Sequence, residues 1–120
     1  MSYKTGAELT EEARAQIREV SPKEVKAMLD NNEDVTVLDV REPNEWNLGR
    51  IPGAVHLPRG NLESKLEGMV DRDRKIVVYC ARGNRSALAA LTMKQMGYDD
   101  VVSMSGGFQS WPDVGGSIEE

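Results

Sequence analysis

Two stretches of the chain are apolar at nearly every position, and the segments between them place apolar residues at helical spacing. Val35–Val40 reads Val-Thr-Val-Leu-Asp-Val, and Ile76–Tyr79 reads Ile-Val-Val-Tyr. Such β-branched runs are the pattern of strands covered on both faces. Shorter runs at Ile17–Val20, Val55–Leu57 and Val101–Met104 predict further strands. Ser21-Pro22-Lys23-Glu24 predicts a helix start, with Ser21 as cap, Pro22 in the first turn and Glu24 as capping-box partner. Val25, Met28 and Leu29 then form one apolar face. Thr10 is placed to cap a helix over Glu11–Arg18, and a short helix starts within Glu42–Trp46. Asn61–Met69 predicts another, with Leu62, Leu66 and Met69 on one side. A longer helix follows Ile76–Tyr79 and its loop, and Gly97 closes it. Gly106–Pro112 predicts a turn and one helical turn. Strands alternating with helices define an α/β domain with a central, mostly parallel sheet and helices on both faces. In such sheets ligands collect beyond the carboxyl ends of the strands.

Composition narrows the function. The 120 residues suit one domain with one modest core. Residues 1–17 read as a polar, helix-prone extension, 18–115 as the domain, and 116–120 as a loose tail, with the whole Asp113–Glu120 stretch expected to be loosely held. The net charge is −5, which argues against a general nucleic-acid binder, because phosphate binding needs an extended basic face. There is no apolar run of membrane-span length and no signal-peptide pattern, so no membrane role is expected and the default location is cytoplasmic. One cysteine allows no internal disulfide, and one cysteine with one histidine is too few for the usual zinc constellations. No metal or cofactor is expected.

That cysteine is Cys80, at the end of the Ile76–Tyr79 run and just before a helix. Ala81-Arg82-Gly83-Asn84-Arg85 follows it. The thiolate is the reactive form of cysteine, and three features here favour an anion. A helix start offers unpaired N–H groups and a positive dipole end. A tight loop turns successive N–H groups toward one centre, with Gly83 and Asn84 tolerating the left-handed backbone that this wrapping needs. Arg82 and Arg85 add guanidinium charge in a geometry suited to oxyanions. A lone cysteine at a strand end is usually a small buried hydrophobe, but packing a strand end does not call for two arginines. The loop therefore predicts a nucleophile beside a pocket for a small anion.

Across roughly residues 18–115 the sequence resembles the rhodanese family of sulfurtransferases. Four segments in order carry the resemblance: Leu38–Trp46, containing Asp39-Val40-Arg41 and Glu45-Trp46; Gly49–Pro58, containing Ile51-Pro52-Gly53-Ala54; Val77–Ser86 with the Cys80 loop; and Gly106-Gly107-Phe108 with Trp111. Arg50 stands where the family usually has histidine. The resemblance implies a rhodanese-like fold and covalent catalysis without a cofactor. Cys80 would take the outer sulfur of a small anionic donor such as thiosulfate, become a persulfide, and pass that sulfur to cyanide or a thiol. The alternative is a module that relays sulfur or redox state to a partner protein with little turnover. Cysteine phosphatases place five residues between cysteine and arginine. Here four separate Cys80 from Arg85, and Ser86 stands at the phosphatase position, which favours sulfur over phosphate.

The remaining candidates are supporting. Asp39 and Arg41 are expected to form a strand-end ion pair that supports the loop, with Glu45 joining them. Ser86 is an early-helix residue within possible reach of substrate. His56 suits a satisfied structural histidine better than a catalytic base. Trp46 and Trp111 are expected to pack the rim. Arg50 is either a charge near the site or a solvated side chain.

Overall fold

The computed structural model describes residues 2–120. Five strands, β1 (Arg18–Val20), β2 (Thr36–Asp39), β3 (Val55–His56), β4 (Ile76–Tyr79) and β5 (Val101–Met104), form one sheet in the order β1-β5-β4-β2-β3. Every pair is parallel. The helices are α1 (Gly6–Gln16), α2 (Pro22–Asp30), α3 (Pro43–Leu48), α4 (Leu62–Met69), α5 (Asn84–Gln95) and α6 (Gly107–Ser110). The expected α/β layering is present, with β4 at the centre.

The continuous apolar runs follow from burial on both sides. Val78 and Cys80 point into a core with Leu38, Leu62, Leu66, Ala89, Ala90 and Met93 from β2, α4 and α5. Val77 and Tyr79 point the opposite way, into a second core with Val37, Val25, Ile51, Val102, Met104 and Trp111. Alternate residues of a strand face opposite sides of the sheet, so both sets must be apolar.

Local signals explain most boundaries. Ser21 accepts from the Glu24 amide, and Glu24 Oε1 accepts from the Ser21 amide, closing the predicted capping box. Met69 is 44% exposed, so the buried face of α4 is Leu62 and Leu66 alone. The first helix starts at Gly6 rather than Glu11, because Thr5 and Glu8 form a capping box upstream of Thr10. Thr10 instead donates its hydroxyl to Gly6 O from inside the helix. The tail is also pinned rather than loose. Glu119 pairs antiparallel with Arg50, and Ser117 O accepts from the Trp111 indole at 2.8 Å.

Candidate active site

Cys80 ends β4 at the carboxyl edge of the sheet, and its side chain is almost fully buried at 1% exposure. The chain then turns sharply at Gly83, whose φ of 96° lies in the left-handed region, and enters α5 at Asn84. Gly83 alone supplies that turn. Asn84, expected to share it, is already helical. The Gly83 amide donates to Cys80 Sγ at 3.1 Å and the Ser86 amide at 3.4 Å. Asn84 and Arg85 are the first two residues of α5, so their amides have no intrahelical acceptor. The sulfur thus lies at the start of a 12-residue helix, where backbone donors and the dipole both favour negative charge.

A buried hydroxyl pair lies behind the sulfur. Ser86 Oγ is 3.5 Å from Sγ, and Ser103 donates to Ser86 Oγ at 2.9 Å. Both serines are fully buried. Ser103 was not anticipated; its signal is a hydroxyl in the otherwise apolar strand Val-Val-Ser-Met. In front of the sulfur is an open cleft of about 350 Å³ lined by Glu45, Cys80, Ala81, Arg82, Asn84 and Arg85.

The two arginines differ. Arg82 is exposed, and among the described residues it makes no ion pair or side-chain hydrogen bond. Arg85, expected to face an anion, is held by Glu45 through two hydrogen bonds, Nη1 to Oε1 at 2.7 Å and Nη2 to Oε2 at 3.0 Å. Glu45 therefore joins the loop rather than the Asp39–Arg41 pair. Its bonds to Arg85 pull its carboxyl down from 4.5 to about 2, against a smaller opposing effect of burial. A lowered carboxylate pKa means that the pair contributes fully above the ordinary carboxylate range and is lost only as pH falls through about 2. Across neutral and mildly acidic pH the cleft therefore holds a fixed carboxylate–guanidinium pair.

Asp39 and Arg41 support the loop at one remove. Asp39 is fully buried and Arg41 nearly so. Arg41 Nη2 meets Asp39 Oδ2 at 2.7 Å and also donates to Gly49 O at 2.7 Å. Its guanidinium lies 4.4 Å from the Phe108 ring centre. The Phe108 amide donates to Cys80 O, and the Gln109 amide donates to Ala81 O. The Cys80–Ala81 peptide is thus clamped by α6. This approach requires glycine at 107, where an added Cβ would sit 2.5 Å from Cys80 O.

The other singled-out residues lie outside the cleft lining. His56 Nε2 is 2.8 Å from Arg41 O, an acceptor that places the ring hydrogen on Nε2. The His56 ring stacks on Trp46 with centres 4.7 Å apart. Arg50 covers the Trp46 ring at 4.6 Å and pairs with Glu119 at 3.0 Å, so it is neither solvated nor part of the cleft. Trp111 is buried in the second core and not at the rim.

A parallel α/β sheet carries a cysteine at the end of its central strand, with its sulfur turned toward the amides of a helix start, a geometry that favours a thiol-centred anion. The chain belongs to the rhodanese-like domain family, whose sequence model matches residues 21–113. It is 40% identical to the thiosulfate sulfurtransferase GlpE of Shewanella oneidensis over 80 residues, covering 67% of this chain and 78% of that protein. It is 36% identical over 106 residues to the "Putative sulfur carrier protein YrkF" of Bacillus subtilis, covering 88% of this chain and 57% of that protein. The chain thus spans little more than half of the Bacillus relative. A solved structure from Rhodopseudomonas palustris, of unknown function and described as a possible tyrosine phosphatase, superposes with a TM-score of 0.90 at 34% identity, over 99% of this chain and 97% of that one.

Proposed function

We propose that this protein transfers sulfane sulfur through a persulfide on Cys80. The observation that carries the reading is the Cys80 sulfur held by the Gly83 and Ser86 amides at the start of α5. The Cys80 thiolate attacks the outer sulfur of a donor such as thiosulfate. The sulfur–sulfur bond of the donor breaks, sulfite leaves with its electron pair, and the new terminal sulfur on Cys80 carries the negative charge. The start of α5, at which Sγ lies, favours that negative charge through its dipole and its unpaired amides. An acceptor, cyanide or a thiol, then attacks the terminal sulfur and regenerates the Cys80 thiolate.

The sulfur-carrier name of the Bacillus relative supports a second form of the same chemistry, in which Cys80 loads once and hands its sulfur to a partner protein. Thiocyanate formation from thiosulfate and cyanide separates the two. An enzyme turns over many times per Cys80, and a carrier stops after one sulfur. Phosphate-ester hydrolysis, the activity suggested for the Rhodopseudomonas neighbour, is disfavoured by the short loop and by the engagement of Arg85 with Glu45. Hydrolysis of p-nitrophenyl phosphate that depends on Cys80 would instead support a phosphatase.

The Glu45–Arg85 pair yields a further prediction. Glu45→Gln keeps an acceptor for the Glu42 amide, which Glu45 Oε1 now receives at 3.0 Å, but removes a negative charge from the cleft. The apparent KM for thiosulfate should fall roughly fivefold, the size of one unit-charge interaction of about 1 kcal/mol in a water-like medium. Steady-state kinetics at low and high salt would check this, with the effect shrinking at high salt. An unchanged KM at low salt would show that Glu45 does not oppose donor binding.

A further inference from the structure

Helix α1 precedes the segment matched by the family model, which starts at residue 21, yet it reaches the cysteine loop. It is docked along α5. Ala13 is fully buried, and Lys94 of α5 donates to Gln16 O at 2.9 Å at the end of α1. Nearer the site, Arg14 Nη2 donates to Asn84 Oδ1 at 2.6 Å, joining residues 70 positions apart. The same Nη2 lies 3.9 Å from where a Cβ on Gly83 would project. Asn84 opens α5, and the amide just before it, that of Gly83, donates to the Cys80 sulfur. A continuous path therefore runs from α1 through Arg14, Asn84 and Gly83 to Sγ.

Arg14 also meets carboxylates of α1 and β1. Glu11 Oε1 holds Nη1 at 3.0 Å from within α1, and Glu19 Oε2 lies 3.6 Å from Nε on β1. Carboxylates from two elements thus restrain a long side chain that would otherwise lose rotamer freedom on making this contact. The resulting bond is short and charge-assisted, the stronger class of hydrogen bond. By contrast, the Lys4–Glu12 pair joins the segment just before α1 to α1 itself.

We propose that α1 is a working part of the site, with Arg14 a positioning residue that holds Asn84 and thereby the Gly83 turn against the Cys80 sulfur. The inference rests on the sulfur-transfer reading for its purpose, but its geometry concerns only the reactivity of Cys80. The test is a double-mutant cycle of wild type, Arg14→Ala, Asn84→Ala and the double variant. Two rates are followed across pH, alkylation of Cys80 by iodoacetamide and sulfur uptake from thiosulfate. Arg14→Ala should slow alkylation near neutrality about fivefold or more and move its pH profile toward alkaline values, with thermal stability little changed. The double variant should be no slower than Asn84→Ala alone. Lys4→Ala, just before the cap of α1, should match wild type.

An Arg14→Ala profile that superimposes on wild type would overturn the proposal. So would an Arg14→Ala effect that persists at full size when Asn84 is already alanine. If the wild type takes up no sulfur, the sulfur reading fails, and the alkylation cycle still decides the role of Arg14.

Discussion

Replacing Gly107 with alanine should cost about 3 kcal/mol of stability or more and slow sulfur loading of Cys80 by roughly tenfold to a hundredfold. Two effects add. Gly107 has a φ of 61°, where a side chain costs about 1–2 kcal/mol. The new Cβ would also lie 2.5 Å from Cys80 O and Ala81 C. These are backbone atoms, so relief requires moving the loop that carries Cys80. That shift would disturb the Phe108 amide bond to Cys80 O and the geometry of the amides facing Sγ. Gly68→Ala is the informative control. Nothing lies within 4 Å of its added Cβ and its φ is not positive, so the same chemical change in α4 should be neutral or stabilising by a few tenths of a kcal/mol. Thermal melts with single-turnover sulfite release would measure both effects. A Gly107→Ala protein with native loading kinetics would show that the α6 clamp does not set the loop.

Arg41→Ala should be the most destabilising single charge removal, at about 3–5 kcal/mol. Asp39 has no solvent exposure, and Arg41 supplies both its partner charge and three of its hydrogen bonds. Without the guanidinium, the carboxylate keeps the Arg41 backbone amide as a donor but no counter-charge against it. For a domain of this size a loss of that order lowers Tm by roughly 10 °C or more. The double variant Asp39→Asn, Arg41→Ala should recover part of the loss, because it no longer buries an unpaired charge. Equal melting temperatures for the single and double variants would mean that Arg41 acts through packing on Phe108 rather than through Asp39.

What the sequence made legible follows the range of each interaction. The capping box at Ser21 and Glu24, the turn at Gly83 and the apolar runs of β2 and β4 are local, and local chemistry decides them. The placement of Cys80 follows from topology, since a residue ending a central parallel strand must lie at the carboxyl edge of the sheet. The start of α1 is set locally as well, since Thr5 and Glu8 carry the same capping-box pattern as Ser21 and Glu24, and this outranks Thr10 as a cap. Other features required the fold itself. Arg85 and Glu45 are 40 positions apart, Arg50 and Glu119 are 69 apart, and Arg14 and Asn84 are 70 apart. No spacing rule joins such pairs. The arginines of the loop looked alike in sequence, yet one is bound by a carboxylate and the other lies open to solvent.

A persulfide on Cys80 is visible as added mass on the intact protein. After incubation with excess thiosulfate and removal of small molecules, the wild-type protein should gain about 32 Da, one sulfur atom, with an equivalent amount of sulfite released. Cyanide should remove that sulfur as thiocyanate and restore the original mass. Cys80→Ser should gain nothing. An unmodified wild-type mass, or an adduct that survives in Cys80→Ser, would show that Cys80 carries no transferred sulfur.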